Sequence, residues 1–594
     1  MATDPAVGLV HNDLRDNPDS LVWVSITGAG FGLPVAGSSR ECGSPAAGSF
    51  LQFGDGTALA TAASTDPDVV VWRDKQIVIR RPATSLPTQV QVCTPAGMSA
   101  PVRVEYYTYE HFDVPGTPGT NPAPLAVATD AAQRVWVNEE FHLALKYLDA
   151  VTGRFTQLDI PRPPDPGPFA ITLFGDARTQ ISAAGEAVTV DSRGRVWFTE
   201  GGTEPYSGAY ADHSRVISYD PNAAPDQRFR VYNVPGDHNG VIGVAWDDRR
   251  QRVWFTEVAR LSGALQPVAG QRARLVSFDP ERIPFDNDFD FASTATCIRR
   301  SAPNTTDTCS NAAWRACLAD SDCILADQIC PPDAPDDRAC YHEYELPPEA
   351  ATYMPAHVAV HPDGSIWYTS NWGGNHIGRL DPESGRFTIV PLPEPIWKRQ
   401  CDYQAAKCFT PAMAVVDGYC CQLLLFGTGP WDIKVAPSRD VVFTEYFNSA
   451  LGRFRFSSLG DPRCESLDPS GSNPCVDQLL VPGVDLPAQQ VHSVAPDRDG
   501  KTWFTQGGLF NDPQATTSLG YVKPDWSAIV LLPPLSLYPF LNTDGSYCPG
   551  EPGDFVSFTG GGIAIDPVTQ DVWFADFCRK RLGRLHATAR LTTQ

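Results

Sequence analysis

Three side chains that could do acid–base or metal chemistry lie at equivalent or adjacent places in a repeated sequence pattern. Glu186 and His492 each lie eleven residues before a tryptophan that is followed by phenylalanine and threonine, and His357 lies ten residues before a similar tryptophan. An imidazole can accept a proton near neutral pH, and a carboxylate can assist it or bind a divalent cation. Glu186, His357 and His492 are therefore the candidate catalytic residues if the fold brings them together.

A second interpretation assigns these side chains no chemistry. Each could hydrogen-bond water in a central channel or a neighbouring backbone group, and we favour this over catalysis because the repeats that carry them are not all adjacent. Glutamates also end four copies of the tryptophan strand, and a residue that recurs in this way is more often structural than part of one site. These are Glu139, Glu200, Glu257 and Glu445. His376, in the segment N-H-I-G-R, is expected at the surface.

The tryptophan strand occurs seven times and indicates the fold. The copies are V-W-V-N-E at Trp136, V-W-F-T-E at Trp197 and Trp254, I-W-Y-T-S at Trp367, V-V-F-T-E with Val442 in the tryptophan place, T-W-F-T-Q at Trp503 and V-W-F-A-D at Trp573. The clearest unit, residues 357–393, reads as four short strands. Seven four-stranded units predict an all-β fold, a seven-bladed β-propeller over residues 108–594.

The outer strands predict how the ring closes. Six outer strands follow their own units, and a seventh of the same type lies ahead of the first unit at residues 109–116. Residues 109–114 should therefore pair beside residues 581–585 and complete the last blade. Closure of this kind removes two exposed sheet edges.

The N-terminal part has a different pattern. Residues 1–20 are polar and are expected to be a flexible lead-in. Residues 21–107 show short alternating strands with the segments I-T-G-A-G-F-G at 26–32, F-G-D-G at 53–56 and T-P-A-G at 94–97. In these segments the chain resembles IPT/TIG domains, which implies a small immunoglobulin-like β-sandwich.

Sixteen cysteines predict disulfides and export. No C-x-x-C metal motif occurs, so disulfides are favoured over metal ligation and the protein is expected to be extracellular or periplasmic. The start lacks the basic and apolar segments of a signal peptide, so we expect the export signal to be missing from this sequence. The disulfide candidates are Cys42 and Cys93, Cys297, Cys309, Cys317, Cys323, Cys330 and Cys340 in an insertion at 285–340 of the third unit, Cys401, Cys408, Cys420 and Cys421, Cys464 and Cys475, and Cys548 and Cys578.

Charge and hydropathy exclude some partners. Lys and Arg total 46 against 69 Asp and Glu, a net charge of −23, and such a surface repels the phosphate backbone of nucleic acids. No run of eighteen apolar residues occurs, so no transmembrane segment is expected.

The repeat resembles that of the streptogramin B lyase (virginiamycin B lyase) family, through segments such as I-W-Y-T-S at 366–370 and H-I-G-R-L at 376–380. The resemblance implies two histidines on neighbouring inner strands, a glutamate after the second strand, and magnesium at the channel mouth. His492 matches the first histidine. Gly561, Gly562 and Ile563 stand at the place of the second, and Phe577, preceded by Asp576, stands at the place of the glutamate. This mismatch weighs against the same elimination chemistry.

Two functions follow. The first is an exported protein that binds an unknown protein or small-molecule ligand, or has a structural role in an interaction, through long disulfide-linked loops such as 394–429 and 535–560. The second is a metal-assisted lyase of the carbon–oxygen type, or a hydrolase, acting on a cyclic peptide, ester or polysaccharide-type substrate. In the second case His492 is the base, Glu186 or His357 assists, and magnesium is the cofactor. The first is favoured, and the two differ in whether these side chains converge.

Overall fold

The structure is a computed structural model. It describes residues 2–3, 6–11, 21–36, 41–44, 48–54, 58–60, 68–72, 74, 76–82, 87–116, 124–139, 144–161, 170–173, 176–179, 187–200, 214–234, 240–259, 272–283, 285, 287, 297–301, 308–310, 340–350, 354–372, 374–393, 428–481, 489–508, 518–532, 561–576 and 580–586. In this part of the chain the helices are short 3-10 turns, and none is long and apolar enough to cross a membrane.

The N-terminal unit contains ten strands. They are β1 Ala2–Thr3, β2 Ala6–His11, β3 Leu21–Ala29, β4 Phe50–Phe53, β5 Ala58–Ala60, β6 Val69–Trp72, β7 Gln76–Pro82, β8 Gln89–Thr94, β9 Gly97–Met98 and β10 Val102–Asp113. Side chains of β3 and β7 meet those of β4 and β8 in one apolar core that contains Val24, Ile77, Leu51 and Val92. Residues 1–20, expected to be a flexible lead-in, contain β1 and β2, because β2 finds a pairing partner in β10.

The disulfide expected in this unit is present. Cys42 and Cys93 are bonded, with Cα atoms 5.5 Å apart. Cys464 and Cys475, which are also among the disulfide candidates, are bonded too. The other twelve candidate cysteines either lie outside the described residues or belong to strands whose side chains are not described.

Six sheets, antiparallel except for the pair of β24 with β26, follow along the chain and form the blades of a β-propeller. Sheet 1 is β11 Pro124–Thr129, β12 Arg134–Glu139, β13 Ala144–Asp149 and β14 Arg154–Asp159. A hairpin of β15 Ala170–Leu173 and β16 Asp176–Thr179 follows. Sheet 2 is β17 Val188–Val190, β18 Val196–Glu200, β19 Arg215–Tyr219 and β20 Phe229–Asn233. Sheet 3 is β21 Val241–Asp247, β22 Arg252–Glu257, β23 Arg274–Phe278 and β26 Cys340–Glu345, extended by β24 Cys297–Ser301 and β25 Thr308–Ser310.

Sheets 4 to 6 carry the candidate site. They are β27 Met354–Val360, β28 Ile366–Trp372, β29 His376–Asp381, β30 Arg386–Pro391; β31 Pro430–Val435, β32 Val441–Glu445, β33 Ala450–Phe454, β34 Val476–Leu480; and β35 Gln489–Pro496, β36 Thr502–Gly508, β37 Ser518–Val522, β38 Ile529–Leu531. The chain then forms β39 Ile563–Ile565, β40 Val572–Asp576 and β41 Arg581–His586. The first strand of each sheet lies against the first strand of the next, and the series returns from β39 to β11.

The predicted closing pair is present. Strand β10 pairs antiparallel with β41, from Thr108 opposite His586 to Asp113 opposite Arg581. The same strand pairs in parallel with β2 over residues 104–109. Strands β39, β40, β41 and β10 therefore follow the order of a blade and continue into the N-terminal unit as one large sheet.

The repeated tryptophans are buried anchors. The indole Nε1 of Trp136, Trp197 and Trp503 each donates to Oδ2 of the aspartate six residues earlier, at 2.9 Å. That aspartate also accepts backbone N–H groups of the tight turn. For example, Asp191 Oδ1 accepts the N–H groups of Arg193 and Arg195, both at 2.9 Å. In these three sheets the tryptophan thus fixes the turn between the first and second strands.

Candidate functional site

In five of the sheets, a threonine two residues after the tryptophan place donates to a backbone carbonyl of the next sheet and sets the register between the two. The Thr369 hydroxyl accepts the N–H of His357, in its own sheet, at 3.0 Å and donates to the carbonyl of Trp431, in the next sheet, at 2.6 Å. Thr444 does the same for Asp432 at 2.9 Å and His492 at 3.2 Å. His357 and Asp432 therefore occupy the same position in their first strands. Trp431 and His492 occupy the position one residue before it in theirs.

This offset of one residue makes the two histidines converge. Neighbouring residues of a strand point to opposite faces, so His357 faces forward to sheet 5 and His492 faces back to it. The His357 ring lies 5.5 Å from the Trp431 ring, and its Nδ1 lies 3.6 Å from Asp432 Oδ1. The His492 ring lies 6.0 Å from Trp431 and 6.1 Å from Tyr446. We call His357, Trp431, Asp432, Tyr446 and His492 the channel site.

All five residues belong to sheets 4 to 6. His357, Asp432 and His492 lie in β27, β31 and β35, the first strands of these sheets, which are consecutive around the ring. The structure thus brings together two of the three predicted residues. The third, Glu186, lies outside the described residues.

Asp432 is a buried carboxylate that is held ionised. Its Oδ1 accepts the Ile433 N–H at 2.9 Å and the Lys434 ammonium at 2.7 Å, and its Oδ2 accepts the Val494 N–H of sheet 6 at 3.0 Å. Burial alone would raise the pKa of Asp432, but Lys434, His357 and these hydrogen bonds hold it below its usual value. Asp432 therefore joins sheets 5 and 6 and neutralises Lys434.

Both histidines are neutral at physiological pH. Burial lowers the pKa of His357 to about 4, with Lys434 adding to the effect and Asp432 opposing it. Burial, together with the nearby His357, lowers the pKa of His492 to about 4. A neutral imidazole has one N–H donor and one acceptor nitrogen. Since Nδ1 of His357 faces Asp432, the tautomer with the proton on Nδ1 is favoured, and Nε2 is left as an acceptor.

In the channel site, Nε2 of His357, an acceptor, and Nε1 of Trp431, a donor, have no hydrogen-bond partner among the described residues, and both atoms are shielded from solvent. A buried polar group without a partner costs free energy, so such groups commonly mark the place of water or a ligand. His492 differs, because its Nδ1 lies 2.9 Å from Ser493 Oγ.

The described side chains do not fit magnesium. Magnesium prefers oxygen ligands in octahedral geometry, and Asp432, the carboxylate of the channel site, already binds Lys434 and two backbone N–H groups. Within the described ranges no group of three His, Cys, Asp or Glu side chains could hold a metal ion.

The glycines at the place of the expected second histidine are required by packing. A Cβ atom at Gly562 would lie 2.7 Å from the backbone N of Val127, and one at Gly561 would lie 2.6 Å from Cβ of Ala575. The last sheet therefore has no room for a histidine here. Phe577 lies outside the described residues, and Asp576 is buried at the end of β40.

The strand-end glutamates are buried, as a structural role requires. Glu139 binds Lys146 at 2.7 Å, Glu257 binds Arg274 at 3.2 Å, and Glu200 pairs with Arg215. Glu445 instead accepts only amide groups among the described residues, and burial raises its pKa to about 7.

The prediction that His376 lies at the surface is wrong. It is buried beside Tyr368, and burial lowers its pKa to about 3. His376 is the first residue of its third strand, the place that Arg215 and Arg274 occupy in theirs, and this place faces the buried end of the second strand.

Comparison with known proteins gives likenesses of fold. No protein family matches the chain, and no curated protein matches it. A solved structure of catalytically inactive virginiamycin B lyase from Staphylococcus aureus with quinupristin is 15% identical, with 81% of this chain and 99% of that chain covered and a TM-score of 0.42. A streptogramin B lyase structure is 16% identical, covers 81% and 97%, and has a TM-score of 0.43. A chain of the mitotic checkpoint complex is 9% identical, covers 80% and 90%, and has a TM-score of 0.39. The fold and the site described above rest on the contacts of this chain.

Proposed function

We propose that this protein is an exported β-propeller that binds a ligand at the channel site. The observation that carries the proposal is the pair of shielded, unpartnered polar atoms, Nε2 of His357 and Nε1 of Trp431. One accepts and the other donates a hydrogen bond, so together they complement a ligand group that does both. Amides and hydroxyl groups have this property.

The charges of the site favour a neutral ligand group. Asp432 and Lys434 neutralise each other, and both histidines are uncharged at neutral pH. The rings of Trp431 and Tyr446, whose centroids lie 6.0 Å apart, add apolar faces. Aromatic faces beside a few fixed polar groups are typical of sites for small molecules, peptides and sugars.

The connections that enter the site strands support a role for long loops. Residues 394–427 lead into β31, residues 482–488 into β35 and residues 533–560 into β39. All three connections reach the ring at the mouth where the first strands begin. The loops themselves lie outside the described residues, and we propose that they form the outer part of the ligand or partner surface.

Three further parts of the proposal concern organisation. Strands β39, β40, β41 and β10 have the strand order of a blade, which supports seven blades in total. The two-sided core of the N-terminal unit supports an IPT/TIG-like sandwich. Two disulfides support export, since disulfides persist in oxidising compartments.

A lyase or hydrolase is the second candidate. The contact of His357 Nδ1 with Asp432 favours it, because a carboxylate at one imidazole nitrogen orients the other as a base. Bases with a pKa of about 4 are weak at neutral pH, however, so the geometry supports binding better than proton abstraction.

The test uses the full chain and a panel of cyclic peptides, linear peptide amides and oligosaccharides at pH 7. We expect at least one compound to raise the melting temperature, and His357→Ala and Trp431→Phe to weaken its binding at least tenfold by calorimetry. His342→Ala, on outer strand β26, is the matched control and should bind normally. A hit that both variants bind like the native protein contradicts the channel site. Mass spectrometry of the incubated compounds separates the candidates, since a lyase or hydrolase leaves products and a binding protein does not.

A further inference from the structure

Glu445 is the exception among the strand-end glutamates. It is fully buried at the end of β32, and its carboxylate accepts from Asn448 Nδ2 at 2.7 Å and from Gln478 Nε2 at 2.6 and 2.8 Å. Its counterparts in sheets 1 to 3 each bind a lysine or an arginine.

The register shows what has been replaced. Glu445 lies opposite Ala450, whereas the counterparts Glu200 and Glu257 lie opposite Arg215 and Arg274. The cation of the repeat is thus absent from this position of sheet 5. Burying a carboxylate without a cation favours its neutral form.

We propose that Glu445 takes up a proton reversibly and thereby controls how Tyr446 packs on the channel site. As regulation of ligand binding, this inference rests on the proposed function; as a conformational response to pH, it does not.

The hydrogen bonds explain why a proton changes the structure. Ionised Glu445 accepts from two amide N–H groups. Once protonated, one of its oxygens becomes a donor, and this donor gains an acceptor when a neighbouring amide rotates to offer its oxygen. Asn448 lies in the tight turn that follows Glu445, where its N–H donates to the Glu445 carbonyl at 3.2 Å. A change in its side chain therefore acts on this turn.

The same turn carries Tyr446. Its backbone N–H donates to the Gly429 carbonyl at 2.9 Å, and its ring packs on the rings of Trp431 and His492. A shift of the turn thus alters the cover over one side of His492.

The pKa values of His492 and Asp432 in the channel site are separated from that of Glu445. Burial raises the pKa of Glu445 to about 7. Facing it are Gln478 from β34, Asn448 and Tyr446 from the turn, and, beyond Tyr446, His492 from sheet 6 and Asp432 with Lys434 from β31. The pKa of His492 is about 4, and that of Asp432 lies below its usual value. Of Glu445, His492 and Asp432, Glu445 is therefore the group expected to titrate between pH 5.5 and 8.5.

The test measures the exposure of His492 in the full chain without ligand. Diethylpyrocarbonate modifies neutral imidazole, and peptide mass spectrometry gives the rate at which it modifies His492. This rate is divided by the rate for N-acetylhistidine at the same pH, after the latter has been corrected for the ionisation of its own imidazole. We expect the rate to change at least threefold between pH 5.5 and 8.5, with a midpoint near 7.

Two variants hold Glu445 in opposite states. Glu445→Gln resembles the protonated form, and its rate should stay at the low-pH level of the native protein. Gln478→Lys places an ammonium group at the carboxylate, and its rate should stay at the high-pH level. A pH-independent rate in the native protein, or an unchanged midpoint in either folded variant, overturns the proposal. Because no ligand is present, this outcome is independent of whether the channel site binds one.

Discussion

Tyr109 of β10 pairs with Leu585 of β41, so a strand from the N-terminal unit completes the sheet formed by the last strands of the chain. Tyr109 and Leu585 are both fully buried in one core with Phe574 and Val572. Charged side chains line the same seam, where Arg584 binds Asp571 at 2.6 Å and lies 3.6 Å from Glu110.

Removing β10 should destabilise the propeller itself. A chain that begins at Gly116 exposes the edge of β41 and the apolar side chains that Tyr109 covers. We expect its melting temperature to fall by at least 10 °C, measured by differential scanning calorimetry. A chain that begins at Val102 keeps β10 without the rest of the N-terminal unit and should lose less. Equal melting temperatures for the Gly116 chain and the full chain would show that β10 does not support the ring.

His586 should make this seam sensitive to alkaline pH. Hydrogen bonds to Asp571 and Glu110 raise the pKa of His586 to about 9, against about 6.5 in an unfolded chain. The stability from its charged form is therefore complete below pH 6.5 and is lost as the pH rises through 9. Thermal unfolding between pH 6 and 10 should show this loss in the native protein and a smaller loss in His586→Asn. The same dependence of stability on pH in both proteins would show that His586 does not cause the alkaline loss.

His492 should contribute to unfolding in acid. Its folded pKa of about 4 lies below the unfolded value, so the unfolded chain binds a proton first, and stability falls as the pH drops from 6.5 to 4. The predicted loss is on the order of 3 kcal/mol for a shift of this size. His492→Gln should reduce it in urea titrations. The comparison is made in the Glu445→Gln background. Glu445 has a raised pKa, so its protonation increases the free energy of unfolding as the pH falls, which opposes the effect of His492. His342→Gln is the control, and an equal effect there would contradict the prediction.

The threonine links between sheets should be strong determinants of stability. Thr369→Val keeps the shape of the side chain but leaves the His357 N–H and the Trp431 carbonyl unpaired. We expect a loss of about 1–3 kcal/mol in the free energy of unfolding, measured with urea. Thr388→Val, on outer strand β30, should cost less. If the two variants were equally stable, the link between sheets 4 and 5 would be unimportant.

The periodic part of the fold was predictable from the sequence. Each tryptophan strand is a second strand of its sheet, as the repeated pattern predicts, and in three sheets the buried indole binds the aspartate of the preceding turn, as Trp197 binds Asp191. The closing pair of β10 with β41 followed from one outer strand too many at the start and one too few at the end.

The channel site was only partly predictable. Counting positions placed His357 and His492 at one level of the propeller, but not on facing sides of sheet 5, because their faces depend on a register shift within the first strands. Asp432 went unnoticed, although it holds the place of His357 in the next sheet. The burial of His376 depends on neighbours that are distant in sequence, and a single strand pattern contains no information about them.

The double membership of β10 also has a mechanical consequence. Its residues 104–109 pair with β2 and residues 108–113 with β41, so no flexible hinge separates the N-terminal unit from the ring. A pull on the N-terminal unit along β10 would load its six residue pairs with β41 in shear, all at once, instead of peeling them apart one by one. Tension applied to the N-terminal unit therefore reaches the ring directly, at the seam between β10 and β41.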